Sequence, residues 1–285
     1  MLNKVPEITL YFWIIKILAT TVGETAADFL NTNIGIGLTG TTFVMSAFLA
    51  VSLFFQFRLR LYVPIVYWTS VVLISIVGTL ITDNLVDNYG ISLPTTTVVF
   101  SIVLTVVFAV WYASEKTLSI HTIVTTRREA FYWLAVLFTF ALGTAAGDLT
   151  AERLALGYWK SALLFATLIA LTFAAHKIFR LNAIAAFWIA YILTRPLGAS
   201  IGDYLSQPKA DGGLGLGTVV TSVLFLTAIL AVVIFLTITR RDETPAQTVA
   251  PEELQPHLHL PHPHVHVPDV HLPNVVPPRP ARDEG

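Results

Sequence analysis

The sequence predicts an all-α membrane protein: eight transmembrane helices built from four parallel two-helix repeats, plus a disordered C-terminal tail. Three observations carry that reading. Hydrophobic residues make up 55% of the 285 and charged ones only 12%, with a mean hydropathy of +0.71, whereas a soluble domain has about 25% charged residues. Apolar runs of about 20 residues, the length a bilayer core demands, recur eight times. A short signature, an aromatic-Trp pair followed at fixed offsets by Gly and Asp, occurs four times.

The apolar runs lie approximately at 7–30, 38–57, 63–86, 94–114, 130–151, 158–177, 183–204 and 214–238. The first is too long for the hydrophobic part of a signal peptide, about 7–15 residues, and is expected to be a retained spanning helix. Every odd run carries the signature. It reads Phe12-Trp13, Gly23, Asp28; then Tyr67-Trp68, Gly78, Asp83; then Tyr132-Trp133, Gly143, Asp148; and Phe187-Trp188, Gly198, Asp203. Intervals between the tryptophans are 55, 65 and 55 residues, and the long middle one suggests a duplicated pair. The even runs are rich in Thr and Val, which lipid tolerates in helices because the backbone there has no partner but itself. Repeats are expected at about 5–60, 61–115, 125–180 and 181–240. A Pro- and His-rich tail covers 242–285.

Trp13, Trp68, Trp133 and Trp188, with the Gly and Asp behind each, resemble a known family: bacterial membrane proteins with four tandem copies of a repeat of unknown function. The resemblance implies two transmembrane segments and a marker tryptophan per repeat, and no particular activity.

Basic residues set the expected orientation. One set of loops and termini holds Lys4, Arg58, Arg60, Lys116, Arg127, Arg128, Lys177, Arg180, Arg240 and Arg241, while the other holds Arg153, Lys160 and Lys209. By the positive-inside rule both termini are cytoplasmic, in a bacterial inner membrane. Each Trp then anchors at the inner interface, and each Asp lies 15 residues on, about 22 Å further along the helix.

Without any cysteine, the available chemistry is carboxylate, imidazole and hydroxyl. The signature glycines are expected to let helices approach closely. The four aspartates sit at helix C-terminal ends, where the macrodipole disfavours a carboxylate. Either each caps a short following segment, or together they form a cation site or path. Second acids one turn away, as Glu24 with Asp28, Asp83 with Asp87 and Asp148 with Glu152, share a helix face and repel unless a proton or metal intervenes. Lys16 is expected to snorkel to the inner interface. Arg195, beside Pro196, reads as a counter-ion to the acids, a gate, or a charge buried for packing specificity. In the tail His257, His259, His262, His264, His266 and His271 suit weak capture of Zn, Ni, Cu or Co through imidazole.

Three functions compete. The first is transport of divalent metal cations (Zn, Ni, Co, Cu or Mn), with the acids as ion path and the tail capturing or sensing metal. A scaffold or metal sensor without transport is the second. The third is an intramembrane hydrolase using paired Asp, against which the fourfold recurrence of the Asp counts, so no enzymatic activity is expected. The expected partners are the lipid bilayer and metal ions, not nucleic acid.

Overall fold

The computed structural model describes residues 3–33 and 35–242. These contain eight α-helices: α1 (Leu10–Asn33), α2 (Gly37–Arg58), α3 (Pro64–Asp83), α4 (Leu93–Glu115), α5 (Thr126–Asp148), α6 (Tyr158–Ile178), α7 (Ala183–Ser206) and α8 (Thr218–Thr239). No strand occurs among the described residues. Helix starts follow local chemistry. Pro64 opens α3, and the side chains of Ser92, Thr125 and Asn182 accept backbone N–H bonds at the starts of α4, α5 and α7, satisfying donors that have no partner inside the helix. Both α3 and α5 run on past their Asp as one wider π-helical turn, at Asn84–Asn88 and Leu149–Arg153.

Seven helices are long and apolar enough to span a membrane. The exception is α1, whose 24 residues include Lys16, Glu24 and Asp28. It is nevertheless central, packing against α3, α7 and α8.

Two layers emerge from the packing. The odd helices close a ring in which α1 meets α3, α3 meets α5, α5 meets α7, and α7 meets α1. Outside it, α2 lies on α3, α4 on α5, α6 on α7 and α8 on α1. Burial follows the layers. In their most apolar stretch α3, α5 and α7 bury 67%, 67% and 61%, while α2, α4, α6 and α8 bury 17%, 22%, 22% and 28%. The outer faces expose Phe43, Phe48, Val98, Ile102, Leu163, Phe173, Val223 and Leu230, an apolar surface too large for water and suited to lipid.

The signature glycine explains the ring. A side chain on Gly23 would run into Ser75, one on Gly78 into Phe140, one on Gly143 into Arg195, and one on Gly198 into Thr20. Those four partners all stand seven residues after a Trp. Each repeat's Gly thus receives the same position of the next repeat, and the last receives the first. Helix association in lipid relies on such close packing, because apolar faces gain nothing over lipid tails.

One sequence expectation changes here. The tryptophans are not belt anchors: Trp68, Trp133 and Trp188 are buried, and Trp13 is half-buried. They form an aromatic cluster with Phe12, Tyr67, Tyr132, Phe187 and Tyr191, since ring closure turns one end of every odd helix toward the others. The long middle interval, between Trp68 and Trp133, joins α3 to α5, two ring helices that pack on each other as the rest do. Its extra residues form the α4–α5 connection, where Ile120 and Ile123 are buried and the Leu118 carbonyl accepts from Trp188 Nε1 at 2.9 Å.

The same end is closed by a polar lock. Lys4 Nζ meets Glu129 Oε2 at 2.6 Å, Gln56 Nε2 donates to Glu129 Oε1 at 3.1 Å, and Tyr62 donates to Asp242 Oδ2 at 2.6 Å. Burial, and then the Asp242 carboxylate beside it, push the Tyr62 phenol well above its ordinary range, so it stays a donor.

Substituting Leu for Gly78 or Gly198 is expected to cost about 1–3 kcal/mol through overpacking, read as a lower thermal midpoint in detergent. Ala at Gly40, whose nearest neighbours are atoms of the Ile36 side chain just before α2, should leave the midpoint within about 0.5 kcal/mol of unchanged.

Candidate functional site

Opposite the aromatic cluster, the ring carries its charges. Positions 7, 11 and 15 after each Trp recur every four residues, so they share a helix face. At position 7 stand Thr20, Ser75, Phe140 and Arg195; at position 11 stand Glu24, Thr79, Thr144 and Ala199; at position 15 stand Asp28, Asp83, Asp148 and Asp203.

Arg195 has no solvent exposure and joins α7 to the three other ring helices. Its Nη1 donates to the Thr20 carbonyl at 3.2 Å, and its Nη2 to Glu24 Oε2 at 2.8 Å, to Thr144 Oγ1 at 2.7 Å and to Thr79 Oγ1. Of the sequence's readings, counter-ion is the one this geometry matches, and the acid it meets is Glu24. A buried charge is tolerable only with such partners.

Above this layer the acids gather. Carboxylate oxygens of Glu24, Asp148 and Asp203 lie within 4.8 Å of one another, a spacing that suits one metal ion. Asp28 and Asp83 are electrostatic neighbours of Glu24 and of each other's surroundings. Gln207 Nε2 donates to Asp28 Oδ2 at 3.3 Å. Neither Asp83 nor Asp148 caps the turn that follows it, which removes the capping reading for those two. Glu24 and Asp203 are buried, Asp28, Asp83 and Asp148 half-buried, and Asp87 and Glu152 exposed. The acids therefore run from an exposed rim to a buried floor at Arg195. Among the described residues no His or Cys joins them in a metal-sized group. Gly202, one turn beyond Gly198, lets α1 approach α7 beside Glu24.

Lys16 overturns its expected role. It reaches no interface: it is fully buried, with Nζ 4.1 Å from the Phe140 ring centroid and 4.2 Å from that of Tyr191. Its Nζ has no hydrogen-bond partner. The cause is again the ring, which places the helix face that carries Glu24 at the centre rather than at the membrane surface. Thr79 and Thr144 were not among the residues singled out from the sequence, although their shared offset with Glu24 was available to single them out. The tail histidines, His257, His259, His262, His264, His266 and His271, lie outside the described residues.

A closed ring of apolar helices holding an acidic cluster is the plan of a multi-helix membrane protein. The chain belongs to the family described as Repeat of Unknown Function (DUF347), which matches residues 11–62, 66–117, 131–181 and 186–242. Each match begins two residues before a signature Trp, so the repeat in sequence is an odd helix with the even helix after it. The packed pair in space is shifted by one helix: α2 with α3, α4 with α5, α6 with α7, and α8 with α1. No curated protein and no solved structure matches the chain.

Arg195→Met should destabilise the protein by about 3–5 kcal/mol by leaving Glu24 buried without its partner. The double variant Glu24→Gln/Arg195→Met should lose less than the two single variants added together. Chemical unfolding in detergent across this mutant cycle checks the coupling.

Proposed function

We propose that this protein carries divalent metal cations across a bacterial cytoplasmic membrane, through a site built by the acids of the ring. The observation that carries the reading is the convergence of Glu24, Asp148 and Asp203 within 4.8 Å, with Asp28 and Asp83 beside them. Clustered carboxylates inside an apolar bundle are costly unless protons, cations or basic partners offset them. Arg195 offsets one. Asp87 and Glu152, on the exposed rim, would attract cations toward the cluster. An all-oxygen donor set favours hard ions such as Mn over Zn, Ni, Co or Cu at this site.

In this reading all eight helices cross the bilayer, including α1, whose charges face the ring. The basic-residue asymmetry supports cytoplasmic termini, so the acid rim faces outward and the aromatic cluster and polar lock inward. Below Glu24 the axis holds Arg195, Phe140 and Lys16 rather than an open pore, which favours a carrier with alternating access over a channel. Arg195 shares Glu24 with the cation, so binding and release involve exchange of one positive charge for another. The tail histidines would gather softer metals on the cytoplasmic side. An intramembrane hydrolase finds less support, because the acid nearest the clustered aspartates is committed to Arg195.

Purified protein in vesicles should take up Mn2+, and Asp148→Asn or Asp203→Asn should lower the rate at least about tenfold, the loss of roughly 1.4 kcal/mol of binding. Helical content should be unchanged, as Asn keeps the size and the carbonyl oxygen. Wild-type rates in either variant would remove the acids from the path.

For the tail, calorimetry on a peptide spanning 248–285 should detect Zn2+ or Ni2+ binding at pH 7.5. Affinity should fall as pH drops through about 6.5, where imidazole gains its proton and ceases to be a ligand.

A further inference from the structure

Between α4 and α7, on the outer surface of the bundle, runs a groove of about 600 Å³, within the usual range of small-molecule sites, roughly 300–1,000 Å³. Phe108, Trp188 and Ile192 line it, and it takes in the exposed Tyr112 and Ile189, so it is open to whatever covers that surface. Its floor is firmly held. The rings of Phe108 and Trp188 meet edge to face at 4.9 Å between centroids, and Trp188 Nε1 donates to the Leu118 carbonyl at 2.9 Å. Lys116, Thr117 and Leu118 form the rim and belong to the long α4–α5 connection, 116–125. The α2–α3 and α6–α7 connections, 59–63 and 179–182, are too short to build such a rim.

The mouth of the groove is positive. Lys116 is exposed and takes part in none of the ion pairs among the described residues. Its acidic neighbour Glu115 is already engaged by Arg127 at 3.4 Å and Arg128 at 2.9 Å. Asn182, across the groove, opens α7 at the positive end of that helix's dipole. Its Oδ1 accepts from the Ile184 and Ala185 backbone N–H groups, which leaves its Nδ2 as a donor for something else. Arg180, two residues before it, adds a further charge at this end. Below the mouth the lining is apolar. Ile192 stands ten residues beyond Asn182, about 15 Å along the helix, which is half of a hydrocarbon core about 30 Å thick. The groove is therefore as deep as one leaflet, cationic at the membrane surface and apolar down to the midplane.

We propose that this groove binds one anionic phospholipid, from the leaflet at the basic end of the bundle. The phosphate meets Lys116 and Asn182 Nδ2, and one acyl chain lies over Phe108 and Trp188 as far as Ile192. Depth and charge together choose this occupant: a lipid carries its negative charge at one end and asks nothing polar of the rest of the groove, and basic pockets between helices at the membrane surface take such headgroups. The inference goes beyond the cation-transport reading and stands whichever ion the ring carries. A lipid seated there touches α4, the α4–α5 connection and α7 at once, and so joins parts of the second, third and fourth repeats.

The test is native mass spectrometry of the full chain released from detergent, with phosphatidylglycerol or phosphatidylcholine of the same acyl chains added. The wild type should hold one phosphatidylglycerol per chain and prefer it to phosphatidylcholine by at least about fivefold, the worth of one Lys beside an anionic headgroup. Lys116→Gln changes an exposed side chain and should abolish that preference. Arg60→Gln removes an exposed cation from the same end of the bundle, in the α2–α3 connection, and should keep it. Ala185→Trp fills the groove and should prevent binding of either lipid with helical content unchanged; Ile189→Trp, at an exposed position of the same groove, gives the same readout should the first variant not fold. Three results would each overturn the proposal. Equal loss in Lys116→Gln and Arg60→Gln would mean a general basic belt, displacement of phosphatidylglycerol by inorganic phosphate would mean a site for free anions, and a lipid-free dimer broken by Ala185→Trp would give the groove to a second copy of the chain. A wild type that holds no lipid overturns it as well.

Discussion

The contact on which everything else depends is the close approach of a glycine in one ring helix to the residue seven after the Trp in the next. Four such contacts close the ring, and each tolerates no side chain at the glycine. Van der Waals packing is the main force available between helices in lipid, and it falls off within a fraction of an ångström. Closing the ring in one register lays the four faces against each other, level by level, and so decides which side chains meet at the centre. The even helices then need only cover the outside with Val, Leu, Ile and Phe.

What meets at the centre is strongly graded. Aromatic rings fill one end, two cations lie near the middle, and carboxylates occupy the other end up to the surface. Burying charge in an apolar bundle costs several kcal/mol per ion even after relaxation. Arg195 is kept by four hydrogen bonds that it donates to three neighbouring helices, and Lys16 by two ring faces. The repeats are symmetric in their glycines and aspartates but not in their charges: Lys16, Glu24 and Arg195 each occur in one copy only. A symmetric scaffold with asymmetric charges provides one polar locus rather than four equivalent ones.

Much of this was legible in the residues. The eight apolar runs coincide with the eight helices to within a few residues, because length and hydropathy alone decide what spans a bilayer. The role of Gly23, Gly78, Gly143 and Gly198 as contact points followed from residue type. For Arg195 the sequence left three readings open, and the contact with Glu24 comes from the structure. Trp and Lys16 misled for one shared reason: an amphipathic side chain near the end of an apolar run ordinarily sits at the membrane surface. Whether that end faces lipid or four neighbouring helices is not a property of the run.

By itself the sequence determined the number of helices, their fourfold repetition, the small residues at which they touch and the recurrence of an acid at one depth, since each depends on composition and spacing along the chain. Only the tertiary structure decided that α1 closes onto α7, that even helices pack on the following repeat, and that Glu24 rather than a third aspartate joins Asp148 and Asp203. Azimuth is the physical reason. A helix fixes which residues share a face, but which face turns inward is set by the neighbours on both sides, and for α1 one of those neighbours lies at the far end of the chain.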